Sequence, residues 1–374
     1  MLKKWLIVKR TSTKMIGRLR RRICGRRHFF LVNCCTIVCL LFILSVNRLL
    51  PIRKSLPHKL PKVNNDNNKR CEKSSNDSSC QPLYTYEDFV RWNRSLCSIR
   101  SDKRGPHQKV ITLSVYGTAS KYTDNPMFTW NTSIIPFLEP LVKEVNELLP
   151  EWIIRIYTDF TGSTKAQRDY ILSFDNVDVC NVTNLPMFGK SILKYLPGKM
   201  WRFLPVFDPF VDYCLSRDLD SPIIRRETET LDLWLSDESE KYIFHILRDH
   251  KQHGIPILGG LWGAATVRAR RFLFDTFLPV LIPSVAKRYN GSGDQTFLGH
   301  FVWEKVKQSA LSFDSYFCRQ FGGRPYLSQR MNVHCFLGCI RTCCTNTTEE
   351  NTDLTSSICP KTCRPKDHQD WVMC

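Results

Sequence analysis

Phe29–Val46 is a run of Phe, Leu, Val, Ile and Cys interrupted only by Asn33, Thr36 and Ser45. As a helix it reaches about 27 Å, close to the hydrocarbon thickness of an early secretory bilayer. A cleaved signal peptide has a shorter apolar core and a small-residue cleavage site, and Ser45-Val46-Asn47-Arg48-Leu49 offers none. The expectation is therefore an uncleaved signal anchor over residues 29–47, giving a single-pass membrane protein.

The anchor gives the charge a place. Of the formal net +19, residues 1–28 carry 11 Lys and Arg with no acid, residues 48–70 carry 7 against 1, and residues 71–374 carry 36 against 34. A domain built to grip nucleic acid keeps its excess charge on the folded body, and here the body is nearly neutral; nucleic acid is excluded as a partner. The positive-inside rule votes only modestly for a cytoplasmic N-terminus, because residues 14–28 hold seven Lys and Arg and residues 48–62 still hold five. All six glycosylation sequons (Asn76, Asn93, Asn131, Asn181, Asn290, Asn346) and thirteen of the seventeen cysteines lie beyond the run. Both distributions point to a lumenal body.

Residues 48–80 are rich in Lys, Asn, Ser and Pro with few aromatics, a composition that cannot offset ordering entropy and reads as a flexible stem. From residue 81, strand and helix patterns alternate: strand over Val110–Val115, helix from Ser133 to Leu149, strand over Trp152–Tyr157, helix over 164–173, strand over Val177–Val182, helix over Met200–Phe207, strand over Phe210–Leu215. That order implies an α/β fold with a mostly parallel sheet and helices on both faces, and a ligand crevice beyond the carboxyl ends of the strands. The body is read as a domain over 81–330 followed by a cysteine-rich appendage over 331–374 that contains Cys335, Cys339, Cys343, Cys344, Cys359, Cys363 and Cys374. In a lumenal setting disulfides are favoured there over zinc. Thirteen lumenal cysteines is an odd number, so one is free, Cys180 or Cys214 being placed to be buried, or it joins a second chain in a disulfide-linked homodimer.

The chemistry-bearing stretch is Ser216-Arg217-Asp218-Leu219-Asp220-Ser221-Pro222. Ser221 as cap and Pro222 as first helical residue predict a helix from there to about Leu235, which puts both carboxylates on a strand-to-helix turn. Residues two apart in extended chain point the same way, so Asp218 and Asp220 address one point. Two hard anionic oxygens suit Mn²⁺ or Mg²⁺ with positions left open for phosphate. Acidic pairs in turns are also common as solvated surface, and strand-end position is what raises this one.

Together with Arg226-Glu227, Leu247-Arg248-Asp249-His250, Ile257-Leu258-Gly259-Gly260-Leu261-Trp262-Gly263, Gly293-Asp294-Gln295-Thr296-Phe297-Leu298, Asp314-Ser315-Tyr316-Phe317-Cys318 and the closing Cys359-Pro360, Cys363-Arg364-Pro365-Lys366, Asp370-Trp371 and Cys374, this stretch resembles a group of secretory-pathway glycosyltransferase-like proteins. The resemblance covers most of residues 110–374. It implies a GT-A fold, a nucleotide-sugar donor and an Asp-x-Asp metal site, with Asp220 the direct metal ligand and Asp218 on metal or donor. It makes Arg202 and Arg217 donor-phosphate partners, a guanidinium being able to fork onto phosphate; Arg202 reads equally as a surface arginine. Gly259-Gly260 beside Trp262 reads either as a close backbone approach with an aromatic wall for a sugar, or as a strand bend around a buried Trp. Asp294 is the first candidate for a general base, Asp249 the second, and helix capping is the plain alternative for Asp294. Relatives place a His where this chain has Phe313; if that His completes the metal shell, this chain holds its ion more weakly, borrows another ligand such as His300 or His334, or has lost catalysis.

His245, His250 and His253 fit no zinc spacing and read as structural. No Gly-x-Ser-x-Gly elbow and no Gly-x4-Gly-Lys loop occurs. The sequence thus predicts a metal-dependent glycosyltransferase of hexosyltransferase type in the Golgi or endoplasmic reticulum, passing sugar from a nucleotide sugar to a glycan or glycoprotein acceptor. The rival is a catalytically inactive glycan-binding membrane protein on the same scaffold.

Overall fold

A computed structural model describes residues 82–117, 129–290, 293–344 and 358–374. The basic N-terminal residues and the expected anchor and stem lie outside these residues; among those described, no helix is long and apolar enough to cross a membrane.

Seven strands form one sheet: β1 (Gln108–Val115), β2 (Trp152–Thr158), β3 (Val177–Asn181), β4 (Val211–Arg217), β5 (Phe244–Arg248), β6 (Leu261–Ala265) and β7 (Ala310–Asp314), in the order β3-β2-β1-β4-β6-β5-β7. The pairs β1–β2, β2–β3, β1–β4 and β5–β7 are parallel, and β6 runs antiparallel to both β4 and β5. The expected mostly parallel α/β sheet with flanking helices is present. Its exception, β6, arises because the chain returns from β5 without a crossover helix.

Period-two alternation sorts strand side chains onto two faces. Cys214, Phe244, Ile246 and Trp262 join one apolar cluster with the 3-10 helix Gly198–Phe207 and the helix Thr266–Phe277. Leu215, Leu247, Leu261 and Phe313 join the other with the helices Ile135–Leu148 and Arg225–Leu235. The helix expected from Ser221-Pro222 starts later, with Ile224 as its N-cap. Ser221 is drawn away because its hydroxyl accepts from Arg217 Nη2 at 3.2 Å.

A disulfide joins Cys97 to Cys180, so Cys180 is not a free thiol; Cys214 is free and buried, and burial pushes its thiol up to about 12. The remaining described cysteines pair as Cys318–Cys363, Cys335–Cys344, Cys339–Cys343 and Cys359–Cys374. The first of these bridges the segment after β7 to the C-terminal cysteines. Every described cysteine other than Cys214 is therefore used within the chain, Cys214 is the free buried cysteine that the odd count allowed, and Cys71 and Cys80 lie outside the described residues.

Under β1 and β2 the wholly buried Arg155 pairs with Asp208 at 2.6 Å and donates to Ser101 Oγ and Gln108 Oε1, both at 2.7 Å. Asp208 in turn accepts from the backbone of Leu96 and Phe210, each at 2.9 Å. Asp208→Ala leaves a buried guanidinium uncompensated and should cost about 3–5 kcal/mol in urea unfolding.

Candidate active site

Along this sheet the chain winds from β1 to β2 and β3 on one side and to β4 and β6 on the other, so the winding reverses between β1 and β4. There the connections diverge and leave a crevice outside the carboxyl ends of the strands. A cleft of about 370 Å³ opens at that point. Ser114, Val115 and Tyr116 border it from the end of β1, and Arg217, Asp218, Leu219 and Asp220 from the end of β4. Lys199 and Arg202 come from the 3-10 helix, Asp294 and Gln295 from the helix Gly293–Phe297, and Ile340 from the cysteine-rich segment.

Arg202 is the centre of the polar half. Its main chain is docked on β1, the N–H donating to Ser114 Oγ at 2.9 Å and the carbonyl accepting from Thr112 Oγ1 at 3.1 Å. Its guanidinium, buried, donates from Nη1 to Asp218 Oδ1 at 2.6 Å and to the Arg217 carbonyl at 3.1 Å, and from Nη2 to Asp294 Oδ2 at 2.8 Å. Burial opposes its charge, but Asp218 and Asp294 outweigh burial and hold the group above its ordinary value. Arg202 is not a surface arginine.

Asp218 and Asp220 both border the cleft, though the segment is a turn rather than extended chain. The Asp220 carbonyl accepts from Arg341 N–H at 2.7 Å. Arg217 borders the cleft too, but its guanidinium is engaged by Glu227 at 3.2 Å and the Pro222 carbonyl at 2.8 Å. Through Nη2 it holds the helix start.

Two expected site residues are elsewhere. Trp262 is 2 % exposed and stacked on Phe244 with ring centres 5.2 Å apart, with Phe277 and Phe203 close by. It is core, so no sugar reaches its face. Asp249 is wholly buried and paired with Arg226 and Arg330, each at 3.1 Å, and it accepts from Ser315 Oγ at 2.6 Å. Burial raises its carboxyl, but the two guanidiniums prevail and hold it below the usual carboxylate range, the wrong direction for a general base. Of the two base candidates only Asp294 borders the cleft.

Phe313 sits in β7, separated from β4 by β5 and β6, and its ring packs on Tyr326 at 5.6 Å. A side chain there does not reach the Asp218–Asp220 turn, so the missing His carries no message about that turn. His300 is bound to the Tyr289 hydroxyl at 3.1 Å. Among the described residues, the one group of three His, Cys, Asp or Glu ligands close enough to share an ion is Cys339, Cys343 and Cys344, all in disulfides. Neither His300 nor His334 forms such a group with the two aspartates.

Tyr116, Lys199 and Ile340 were not found from the sequence. The Tyr116 ring lies against the main chain at Gly198, where a Cβ would come within 2.7 Å of the Tyr116 Cβ. Burial is the main cause that pushes its phenol up to about 12, so it keeps its proton at neutral pH.

No protein-family model matches the chain, and no curated protein does. Among solved structures, it is similar to the galactosyltransferase LgtC in complex with donor and acceptor sugar analogs, at 13 % identity over 55 % of this chain and 73 % of that one, with a TM-score of 0.34. A second LgtC structure, of an active-site mutant, matches over the same shares at 13 % identity with a TM-score of 0.33.

The three histidines are structural in three ways. His245 lies between Trp234 and Phe313, His253 Nδ1 accepts from Asp249 N–H at 3.0 Å, and His250 stacks on Phe336 at 4.1 Å. Burial lowers all three, His245 and His253 to about 3 and His250 to about 4. The unfolded chain protonates such rings near pH 6.5, so their contribution is complete above that value and drains as the pH falls toward 3. Each ring adds up to about 1.4 kcal/mol per pH unit to that slope. His245→Phe should flatten unfolding free energy against pH between 6 and 4 by about one ring's share, measured by urea unfolding.

Proposed function

We propose that the chain is a metal-assisted glycosyltransferase of GT-A type that moves a hexose from a nucleotide sugar to a glycan or glycoprotein acceptor. One observation carries this reading: Asp218, Asp220, Asp294, Arg202 and Lys199 converge in one cleft at the point where the winding of the sheet reverses. Three carboxylates and three cations line it, but the Arg217 guanidinium is paired with Glu227, which leaves Arg202 and Lys199 against the three carboxylates, and a donor diphosphate adds further negative charge. A divalent ion is what such a set lacks.

The residues fit one. Mg²⁺ and Mn²⁺ are commonly held by one or two carboxylates plus substrate phosphates, without an all-protein cage. Asp220 and the half-exposed Asp218 are such a pair, and the turn at Gly259-Gly260 leaves the room that the Asp218 carboxylate fills. When bound, the ion would stabilise the charge that develops on the leaving diphosphate. Lys199 lines the same cleft and adds positive charge. Asp294 is the proposed acceptor-side base, and Arg202 fixes it relative to Asp218. Tyr116, protonated, offers a hydroxyl donor.

The proposed setting is the lumen of the Golgi or endoplasmic reticulum, with residues 29–47 as anchor. Five disulfides in the described body support an oxidising compartment. Asn93, Asn131 and Asn290 are exposed, as acceptors of N-linked glycan must be.

One observation favours the rival glycan-binding reading: an oxygen of Asp218 is already taken by Arg202. The two readings separate on turnover. Full-length chain in detergent, given a panel of nucleotide sugars with Mn²⁺, should hydrolyse or transfer at least one of them. Chelation should abolish the activity, added Mn²⁺ should restore it, and Asp220→Ala should lower kcat by about 100-fold or more, the scale for losing one charge-stabilising group. A chain whose melting temperature rises with glycans but that turns over no donor is the inactive form.

A further inference from the structure

Gly259 and Gly260 lie in the turn that leads into β6. Neither has the left-handed backbone that favours glycine, since the positive-φ glycines are Gly105, Gly117, Gly162, Gly189, Gly322 and Gly338. Any residue could adopt their main-chain angles. What excludes a side chain is contact.

The strand register explains that contact. Arg217, the last residue of β4, is paired with Leu261, the first residue of β6, in an antiparallel ladder. One step further out, Asp218 and Gly260 stand opposite each other. A Cβ on Gly260 would come within 2.6 Å of the Asp218 carboxyl carbon and 3.0 Å of its main-chain nitrogen, with the Oδ2 oxygen nearer still. A Cβ on Gly259 would come 2.5 Å from Asp294 Oδ2 and 2.6 Å from Arg202 Nη2. Real Cβ atoms essentially never approach heavy atoms under 3.0 Å. The turn itself is pinned, because Ser216 Oγ, buried in β4, donates to the Gly259 carbonyl at 2.7 Å. The bare backbone of the two glycines is therefore the floor on which Asp218, Arg202 and Asp294 rest, and a short, ion-paired Asp side chain has little freedom to yield.

We propose that Gly260, with Gly259 beside it, is a positioning element for the divalent cation: by presenting no side chain it holds the Asp218 carboxylate against Arg202, within the cleft and beside Asp220. The Asp218 carboxyl carbon, its flanking oxygen and its amide nitrogen all face this position, so a single methyl group there displaces the whole carboxylate. Gly260 acts through Asp218 and touches no substrate. The proposal rests on reading Asp218 and Asp220 as the cation site.

The test uses full-length chain and Mn²⁺ alone, with free ion measured by electron paramagnetic resonance. Gly260→Ala should weaken Mn²⁺ binding by tenfold or more. The same variant should lower the melting temperature in the presence of chelator, and most of that loss should vanish in Asp218→Ala/Gly260→Ala compared with Asp218→Ala, because the two closest contacts are to the carboxylate and only the 3.0 Å approach to the main-chain nitrogen remains. That second comparison involves no ion and no turnover. If wild type binds Mn²⁺ and Gly260→Ala binds it equally well, the glycine has no positioning role and the cation site stands. If the melting penalty is undiminished without the Asp218 carboxylate, Gly260 serves the fold and the proposal is overturned. If wild type binds no Mn²⁺, the cation site and the positioning role fall together.

Discussion

Arg202 touches four parts of the molecule at once. Its main chain is bonded to β1, its side chain reaches the end of β4 and the helix that holds Asp294, and Gly259 lies against it from the turn before β6. A buried cation is tolerable only when its charge and its donors are matched, and removal of one partner leaves the others uncompensated. Without Arg202, the half-exposed Asp218 and the buried Asp294 would face each other with no cation between them, and like charges so placed repel. The ion cluster thus fixes the distance between two carboxylates to which the proposed reaction assigns different tasks.

Another buried ion pair, Arg155–Asp208, is set where the 3-10 helix Gly198–Phe207 ends. Asp208 caps that stretch and ties it to the N-terminal segment through Leu96 and Ser95. One end of the 3-10 helix is thereby held by Asp208, and its middle by Ser114 and Thr112. A 3-10 helix of ten residues is unusual because its hydrogen-bond geometry is poor. Here external partners supply what the helix lacks, and Arg202 gains a fixed platform.

Local pattern made the first half of the sheet legible. β1, β2, β3 and β4 fall within a few residues of the expected strands, because each is a run of β-branched and apolar residues bounded by turns. β3 has only five residues but carries two alternating valines, whereas β5, β6 and β7, equally short, hold one β-branched residue between them, so no local pattern distinguishes strand from loop. The site divides in the same way. Asp218 and Asp220 were legible as a strand-end acidic pair. Trp262 stays open between cleft wall and core in the sequence, because a Trp in a strand faces one or the other according to register, and register belongs to the pairing of β6 with β4. Asp249 stands at the end of β5 as Asp218 stands at the end of β4, and in sequence the two look alike. Only the arrival of Arg226 and Arg330 separates them. Tyr116 and Ile340 left no signal at all, since their role depends on which distant segments meet.

Ile340 also shows why the cysteine-rich segment matters to the cleft. Its side chain is 61 % exposed, yet it lines the cleft, and the next residue binds the Asp220 carbonyl through its N–H and Glu144 through its guanidinium. A segment this short buries few apolar groups of its own, chiefly Leu337 and the cysteines themselves, so packing alone would not fix a wall there. Cys335–Cys344 and Cys339–Cys343 restrict the loop in the unfolded chain and lower the cost of ordering it. The cross-links act where a core is too small, and the turn that carries Asp220 gains a neighbour that a reducing compartment would not maintain.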